Sequence, residues 1–167
     1  MTVRTARAHH PAWTGALVRG LGVATAVLLA IDAYVHFNDA GLYDIGTGAA
    51  ITQGSVFRAQ ASIAVVVAVA LLVRPHWIVW TIAVLVSASA ATAVYLYTSV
   101  DVGRLGPLPD MYDPTWAVPG KRLSAVAETV ATGLSAAGLV VALCIRRTPT
   151  VKTMSTSSSP SHRRLAN

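Results

Sequence analysis

Four long apolar blocks constrain this chain more than any other feature of its sequence. They cover residues 15–37, 55–73, 76–98 and 122–145. Each approaches or exceeds the roughly 20 residues that an α-helix needs to cross a bilayer. Because every backbone N–H and C=O group within lipid needs a partner inside the protein, such blocks form helices unless a barrel closes. The blocks are continuous and do not alternate as barrel strands do. The sequence therefore predicts an all-α, transmembrane four-helix bundle with up-down topology.

The basic residues predict how this bundle is oriented. Most of them precede or open the first block, separate the second from the third, or follow the fourth: Arg4, Arg7, Arg19, Arg74, Arg146, Arg147, Lys152, Arg163 and Arg164. Lys and Arg collect on the cytoplasmic side of membrane proteins, so we expect a plasma-membrane protein with both termini in the cytoplasm. The net charge of +6 then attracts anionic membrane lipids. It does not indicate nucleic-acid binding, because the basic residues are divided between two tails without interleaved aromatic residues.

Three segments follow from this pattern. Residues 1–14 are predicted to be a basic cytoplasmic tail, and residues 15–145 the membrane domain. Residues 148–167 are rich in Ser and Thr without apolar periodicity, which predicts a disordered cytoplasmic tail. The first block resembles a secretory signal, but its apolar region is longer than the usual signal core and no clear cleavage site follows. We therefore expect it to remain as a membrane helix.

Two further features concern the surface of the bundle. The connection of residues 99–121 is dense in Pro, Gly and aromatic residues, so we expect a stiff, irregular loop whose Tyr112 and Trp116 cover the mouth of the bundle. Trp77 and Trp80 open the third block, where Trp is typical of the membrane interface.

All seven acidic residues lie in, or next to, the two connections assigned to the outside: Asp32, Asp39, Asp44, Asp101, Asp110, Asp113 and Glu128. Asp32 and Glu128 stand inside otherwise apolar blocks. An ionisable group within the hydrocarbon costs about 2.5–3.5 kcal/mol on insertion scales, and such a group indicates a functional site by default. The outer half of the bundle is therefore the place where we expect a site.

Helix geometry selects the candidate residues of this site. His36 lies one turn beyond Asp32 on the same face of the first helix. Arg58 and Gln60 are two residues apart and point to nearly opposite sides of the second helix; Arg58 is near enough to the surface to extend into water, which favours Gln60 as the pocket residue. The candidate binding residues are Asp32, His36, Arg58, Gln60, Tyr95, Trp116 and Glu128.

Two interpretations of these residues are open. In the functional one, Asp32, His36 and Glu128 accept protons or bind a metal in an outward-facing pocket, and Gln60 and Tyr95 orient what binds. In the structural one, the pairs Asp32–His36 and Arg58–Glu128 fix the helix packing. Two carboxylates and one histidine suit several metals, so the metal stays unknown. The chain has neither a phosphate-binding glycine loop nor an H-E-x-x-H motif, and we expect no cofactor.

Several short motifs resemble those of small uncharacterised four-span membrane proteins of actinobacteria. The similar segments are Asp32-Ala-Tyr-Val-His36, Gly54-Ser-Val-Phe-Arg-Ala-Gln60, L-G-P-L-P-D from Leu105, Trp116, Lys121 and Ser124-Ala-Val-Ala-Glu128. The resemblance covers about residues 15–145, the length of the predicted bundle. A more distant similarity to DoxX-like four-helix membrane proteins implies the fold only.

Three classes of function are compatible with this sequence. The first is binding of a small molecule, a lipid headgroup or a proton in the outward-facing pocket. The second is an accessory or assembly subunit of a larger membrane complex, whose partner would contact small-residue ridges such as Ala16, Gly20 and Ala24. The third is a membrane redox or metal-dependent enzyme. In each class the expected partners are membrane lipids and, in the second, another membrane protein.

Overall fold

The computed structural model describes residues 12–44 and 51–147, which form four long helices. These are α1 (Ala12–Asp39), α2 (Gln53–Val73), α3 (Trp77–Ser99) and α4 (Lys121–Arg147), with a short 3₁₀ turn, Ala40–Tyr43, after α1. All four helices are long and apolar enough to cross a membrane, and the described part of the chain contains no strand. The predicted all-α four-helix bundle is confirmed. Its bounds differ most at the start of α1, which begins at Ala12 and not at residue 15. The predicted disordered tail, 148–167, and most of the basic tail, 1–14, lie outside the described residues.

Local polar groups and a proline set the ends of α2 and the start of α3. The Thr52 hydroxyl accepts a hydrogen bond from the Ser55 amide at 3.0 Å, which caps the first turn of α2. Pro75 follows the last residues of α2 and cannot continue a helix, because its ring blocks the preceding turn and it has no N–H. His76 then caps α3 by accepting from the Ile78 amide at 3.5 Å. The result is a tight connection between two membrane-length helices.

The core of the bundle is built mainly from alanines. Helix α1 contacts both α2 and α4, and α3 packs chiefly on α4. The buried core consists of Ala26, Leu29, Ala33, Ala61, Ala64, Val67, Ala68, Leu71, Trp80, Ala83 and Ala131. Small residues allow helix backbones to approach closely, which is how membrane helices gain packing energy without a hydrophobic driving force between them. Many larger aliphatic side chains, such as Val66, Leu85 and Val140, face outward, as expected of a surface in contact with lipid.

Trp80 is the largest side chain of this core, and its prediction as an interfacial anchor is wrong. It is 0% exposed. A Cβ built at Gly138 would lie 2.5 Å from its ring, and one at Gly22 would lie 4.0 Å from it. The two glycines leave the space that the indole fills, so Trp80 points into the bundle. Trp77 remains half-buried at the start of α3, where the Arg146 guanidinium lies 4.7 Å from its ring centroid.

The loop between α3 and α4 is held by polar contacts. The Asp113 amide donates to the Tyr97 carbonyl at the end of α3, at 3.0 Å. The Lys121 ammonium donates to the carbonyls of Asp113 and Thr115, at 2.5 and 2.8 Å. The Tyr43 hydroxyl donates to the Asp113 carboxylate at 3.2 Å. These bonds attach the loop to the ends of three helical segments and place it over the bundle.

Candidate functional site

The last turns of α1 and α3 and the first turns of α2 and α4 enclose a cavity of about 260 Å³. The loop between α3 and α4 closes part of it. Its wall is mostly apolar or aromatic, and it includes Val35, Val56, Phe57, Val94, Tyr97, Met111 and Val118. The polar side chains that reach it include His36, Asp39, Gln60, Asp113, Lys121, Ser124 and Glu128. An apolar cavity with a few convergent polar groups is the usual form of a small-molecule site.

The structure brings together Asp32, His36 and Glu128 beside this cavity. His36 Nδ1 lies 2.9 Å from Asp32 Oδ1 and 3.0 Å from the Asp32 carbonyl oxygen. The other ring nitrogen, Nε2, lies 3.9 Å from Glu128 Oε1. The side chains are almost completely removed from solvent, with 1% of Asp32, 14% of His36 and 2% of Glu128 exposed. The imidazole therefore bridges one carboxyl on α1 and another on α4.

Ser124 joins the same two carboxyls directly. Its Oγ lies 2.8 Å from Asp32 Oδ1 and 2.9 Å from Glu128 Oε1. A serine hydroxyl has a single hydrogen, so it can donate to only one of these oxygens at a time. The second short contact is a hydrogen bond when that carboxyl itself carries a proton and donates to Ser124 Oγ. The arrangement is therefore suited to holding a proton between the two acids.

Polar atoms without a partner remain in and beside the cavity. Among the described residues, Asp32 Oδ2, Glu128 Oε2 and Gln60 Nε2 are buried and have no hydrogen-bond partner within the protein. Glu128 and Gln60 both line the cavity. Leaving such a group unpaired costs about 1–3 kcal/mol, and more when it is charged. A bound molecule that supplied partners to these atoms would recover that free energy.

A second group of charged residues lies closer to the mouth of the bundle. Asp39 is 5% exposed, and its Oδ1 accepts a hydrogen bond from the side-chain amide nitrogen Nδ2 of Asn38 at 3.1 Å. Gly120, with φ of 82°, leaves room for it, because a Cβ at Gly120 would lie 3.2 Å from Asp39 Oδ2. Lys121 and Asp113 form an ion pair of 3.2 Å. Acidic side chains thus line the cavity both at its inner part, where Glu128 lies, and nearer its mouth, where Asp39 and Asp113 lie.

Arg58 lies outside the cavity lining, and it does not form the pair with Glu128 that the structural interpretation requires, because it pairs with Asp44. The guanidinium donates to both oxygens of Asp44, at 3.0 and 2.5 Å, on the exposed side of α2. These hydrogen bonds hold the pKa of the Asp44 carboxyl below its ordinary value. Gly54 allows the contact, since a Cβ there would collide with the Asp44 carboxylate and the Ala40 carbonyl. Gln60, which the helix geometry favoured, does line the cavity.

The two aromatic candidates also lie beside the cavity and not in its wall. The Tyr95 hydroxyl is 3.4 Å from Thr129 Oγ1, and its ring centroid is 5.9 Å from that of Trp116. The Lys121 ammonium lies 5.4 Å from the Trp116 ring centroid. Trp116 thus packs on Lys121 of the ion pair that holds the loop, and it contacts a residue of the cavity wall without lining the cavity itself.

Several residues of the cavity wall are not among the candidates that the sequence indicated. Phe57 stands three residues before Gln60 and therefore shares its face of α2; its ring centroid is 4.9 Å from that of His36 and 5.0 Å from that of Tyr43. Met111 and Val118 reach the cavity from the loop. The helical spacing could have identified Phe57, whereas no sequence signal distinguishes the two loop residues from their neighbours.

Asp32, His36 and Glu128 are also the described residues that could hold a metal ion. Each offers one donor atom, and these atoms lie within 4.8 Å of one another. His36 Nδ1 is occupied by Asp32, which leaves Nε2 and the carboxylate oxygens as donors. This set suits several metals and selects none, so the donors alone do not define a metal centre.

Comparisons of the chain with models of protein families, with curated proteins and with solved structures find no match. The resemblance to four-span proteins of actinobacteria therefore stays a prediction. The geometry of the cavity and of its polar groups is therefore what indicates a function.

Proposed function

We propose that this protein resides in the plasma membrane and binds a small molecule in the cavity between its helix ends. Glu128, Asp32, His36 and Gln60 are the binding groups in this proposal. The helices would alternate in direction, with both termini in the cytoplasm, so that the cavity faces outward. The basic residues before α1, after α2 and after α4 support this orientation.

One observation carries the proposal. The buried carboxylate oxygen Glu128 Oε2 has no partner among the described residues and belongs to a side chain that lines the cavity. Buried polar groups in folded proteins are nearly always hydrogen-bonded, so each exception requires an explanation. A ligand, which can be as small as a proton or as large as a lipid headgroup, supplies that explanation. A purely structural role would favour full pairing within the protein.

Labelling with dicyclohexylcarbodiimide tests whether small molecules reach this group. The reagent is apolar, and a protonated carboxyl adds to it and rearranges to a stable N-acylurea. We expect modification of Glu128 in the purified full chain near neutral pH, identified by mass spectrometry of peptides. Glu128→Gln should abolish the modification of that peptide. Asp101, which is exposed in the loop, provides the internal control and should stay unmodified, because the apolar reagent concentrates in the detergent and not around a side chain in water.

An unmodified Glu128 in the folded wild-type protein would contradict an accessible, proton-bearing site. Equal modification of Glu128 and Asp101 would also count against the proposal, since it would show no special reactivity of the cavity. Competition by small soluble molecules that slow the reaction at Glu128 would strengthen the proposal and would rank ligands by affinity.

A second candidate function is that of a subunit in a larger membrane complex. Ala16, Gly20 and Ala24 are all exposed on α1, and a Cβ at Gly20 would meet nothing within 4 Å. This ridge of small residues is therefore open to a helix of another protein. Co-purification of a defined partner with the wild-type protein in mild detergent, and its loss with Gly20→Leu, would support this function. A monomer for both the wild type and Gly20→Leu would contradict it.

A further inference from the structure

We propose that the ligand of the cavity is a small organic cation, namely a protonated amine with an apolar or aromatic group. This inference rests on the proposed binding function and names its ligand class. The ammonium group would take the place of the proton held between Glu128 and Asp32, which would leave to water, and the apolar group would pack on Phe57 and Tyr97.

The charge of the cavity supports a cationic ligand. Three carboxyl side chains line the cavity, namely Asp39, Asp113 and Glu128. A fourth, Asp32, is connected to Glu128 through Ser124. The described lining contains two basic side chains, His36 and Lys121. Even when His36 is charged and one carboxyl carries a proton, three negative groups face two positive ones. The cavity therefore keeps a negative charge, which favours cations over neutral molecules and anions.

Both basic residues of the cavity are already engaged, whereas two of its carboxylate oxygens are not. Lys121 binds Asp113 and two loop carbonyls, so its charge is used in holding the loop. His36 Nδ1 binds Asp32. Glu128 Oε2 and Asp32 Oδ2 remain without partners. These free sites are acceptors, and an ammonium N–H is a donor that forms short, charge-assisted bonds with carboxylates.

The apolar and aromatic residues of the cavity wall favour an organic cation over a metal ion. The rings of Phe57, Tyr43 and Tyr97 face the cavity together with aliphatic side chains such as Val35 and Val94. Aromatic faces attract ammonium groups and also pack on apolar substituents. A divalent metal would gain nothing from these surfaces, because it needs several oxygen or nitrogen donors. The volume of about 260 Å³ limits the ligand to a small molecule, since most ligand pockets measure about 300–1,000 Å³.

Three probes of nearly equal shape and different charge test the ligand class. We would measure binding of benzylamine, benzyl alcohol and benzoate to the purified full chain in detergent near neutral pH, by isothermal titration calorimetry. We expect benzylamine to bind about tenfold more tightly than benzyl alcohol, because a charge-assisted bond at a buried site exceeds a neutral one. Benzoate should show no binding.

Matched variants test whether the preference for the amine depends on the carboxylate of Glu128. Glu128→Gln should weaken benzylamine binding about tenfold and leave benzyl alcohol nearly unchanged, since it removes charge but keeps shape. Glu128→Asp keeps the charge and should keep the preference for the amine, which covers the case in which the amide variant fails to fold. Asp101→Asn is the control, because this exposed carboxylate accepts a bond from the Gly103 amide that an asparagine oxygen can also accept.

The outcomes separate the two proposals. Equal affinities for the amine and the alcohol would overturn the cationic ligand and leave small-molecule binding intact. Binding of Mn²⁺ that depends on Glu128, without binding of benzylamine, would overturn it in favour of a metal site. If none of the probes binds and the carbodiimide also fails to reach Glu128, the proposed function itself is wrong.

Discussion

The Ser124 hydroxyl connects the two buried carboxyl groups of the candidate site, which would otherwise be an unfavourable pair of neighbours. Its Oγ is within 2.9 Å of both Asp32 and Glu128. His36 also contacts both carboxyl groups, but its distance to Glu128 is 3.9 Å, so Ser124 makes the shorter connection in surroundings that strengthen every unscreened interaction. The position of the hydroxyl therefore connects the chemistry of the candidate site with the stability of the bundle.

Ser124→Ala is expected to destabilise the protein. The substitution removes the hydrogen bond to a carboxylate, and the loss should be about 1–3 kcal/mol. Thermal unfolding in detergent, followed by circular dichroism, measures the effect. Ser135→Ala is the matched control on the same helix: Ser135 is 0% exposed and its hydroxyl has no partner among the described residues, so its removal should be neutral or stabilising. Equal losses in both variants would contradict the role assigned to Ser124.

At the scale of the elements, the contact between α3 and α4 depends on a tryptophan lying against a glycine. Three atoms of the Trp80 ring would lie within 2.6 Å of a Cβ at Gly138. The ring is completely buried and is surrounded by the alanine-rich core, so it cannot move aside without disturbing other helices. The distance between α3 and α4 is therefore set by the thickness of an indole on a bare backbone.

Gly138→Ala should lower stability although alanine is the better helix former. We expect a loss of about 1–3 kcal/mol, because added volume in a packed core forces side chains and backbone to shift. Gly133→Ala on the same helix serves as the comparison: a Cβ there meets nothing within 4 Å, so this variant should gain up to about 1 kcal/mol from helix propensity. Unfolding midpoints of the two variants give the answer. A stabilised Gly138→Ala would refute the tight contact.

For the whole molecule, the acidic cavity at one end and the basic residues near the other make orientation decisive. The described polar groups of the site belong to the last turns of α1 and α3 and the first turns of α2 and α4. Arg146 stacks on Trp77 where α4 ends and α3 begins. A bundle with cytoplasmic termini would therefore present the cavity to the outside and the arginines to the anionic inner leaflet.

Single cysteines test this orientation in living cells. In a Cys144→Ser background, Asp101→Cys places a thiol in the loop above the cavity, and His76→Cys places one in the turn between α2 and α3. A membrane-impermeant maleimide should label the first in intact cells and the second only after permeabilisation, as expected from the distribution of basic residues. The reversed pattern would place the cavity on the cytoplasmic side and would contradict the proposed orientation.

The sequence by itself determined the four helices and the half of the bundle that contains the acids. Both are local properties: the length of an apolar block is set by bilayer thickness, and the acidic residues cluster around two connections. The pairing of Asp32 with His36 is local as well, because residues four apart share a helical face. The same spacing argument separated Gln60 from Arg58.

Only the tertiary structure decided which faces meet. In the tertiary structure, Trp80 lies in the core, Arg58 pairs with Asp44, and the loop residues Met111 and Val118 form part of the cavity wall. The rotation of each helix depends on how small and large side chains fit between neighbouring elements, and this fit involves residues far apart in the chain. The convergence of Asp32 and Glu128 on one serine is such a long-range result, and no local pattern contains it.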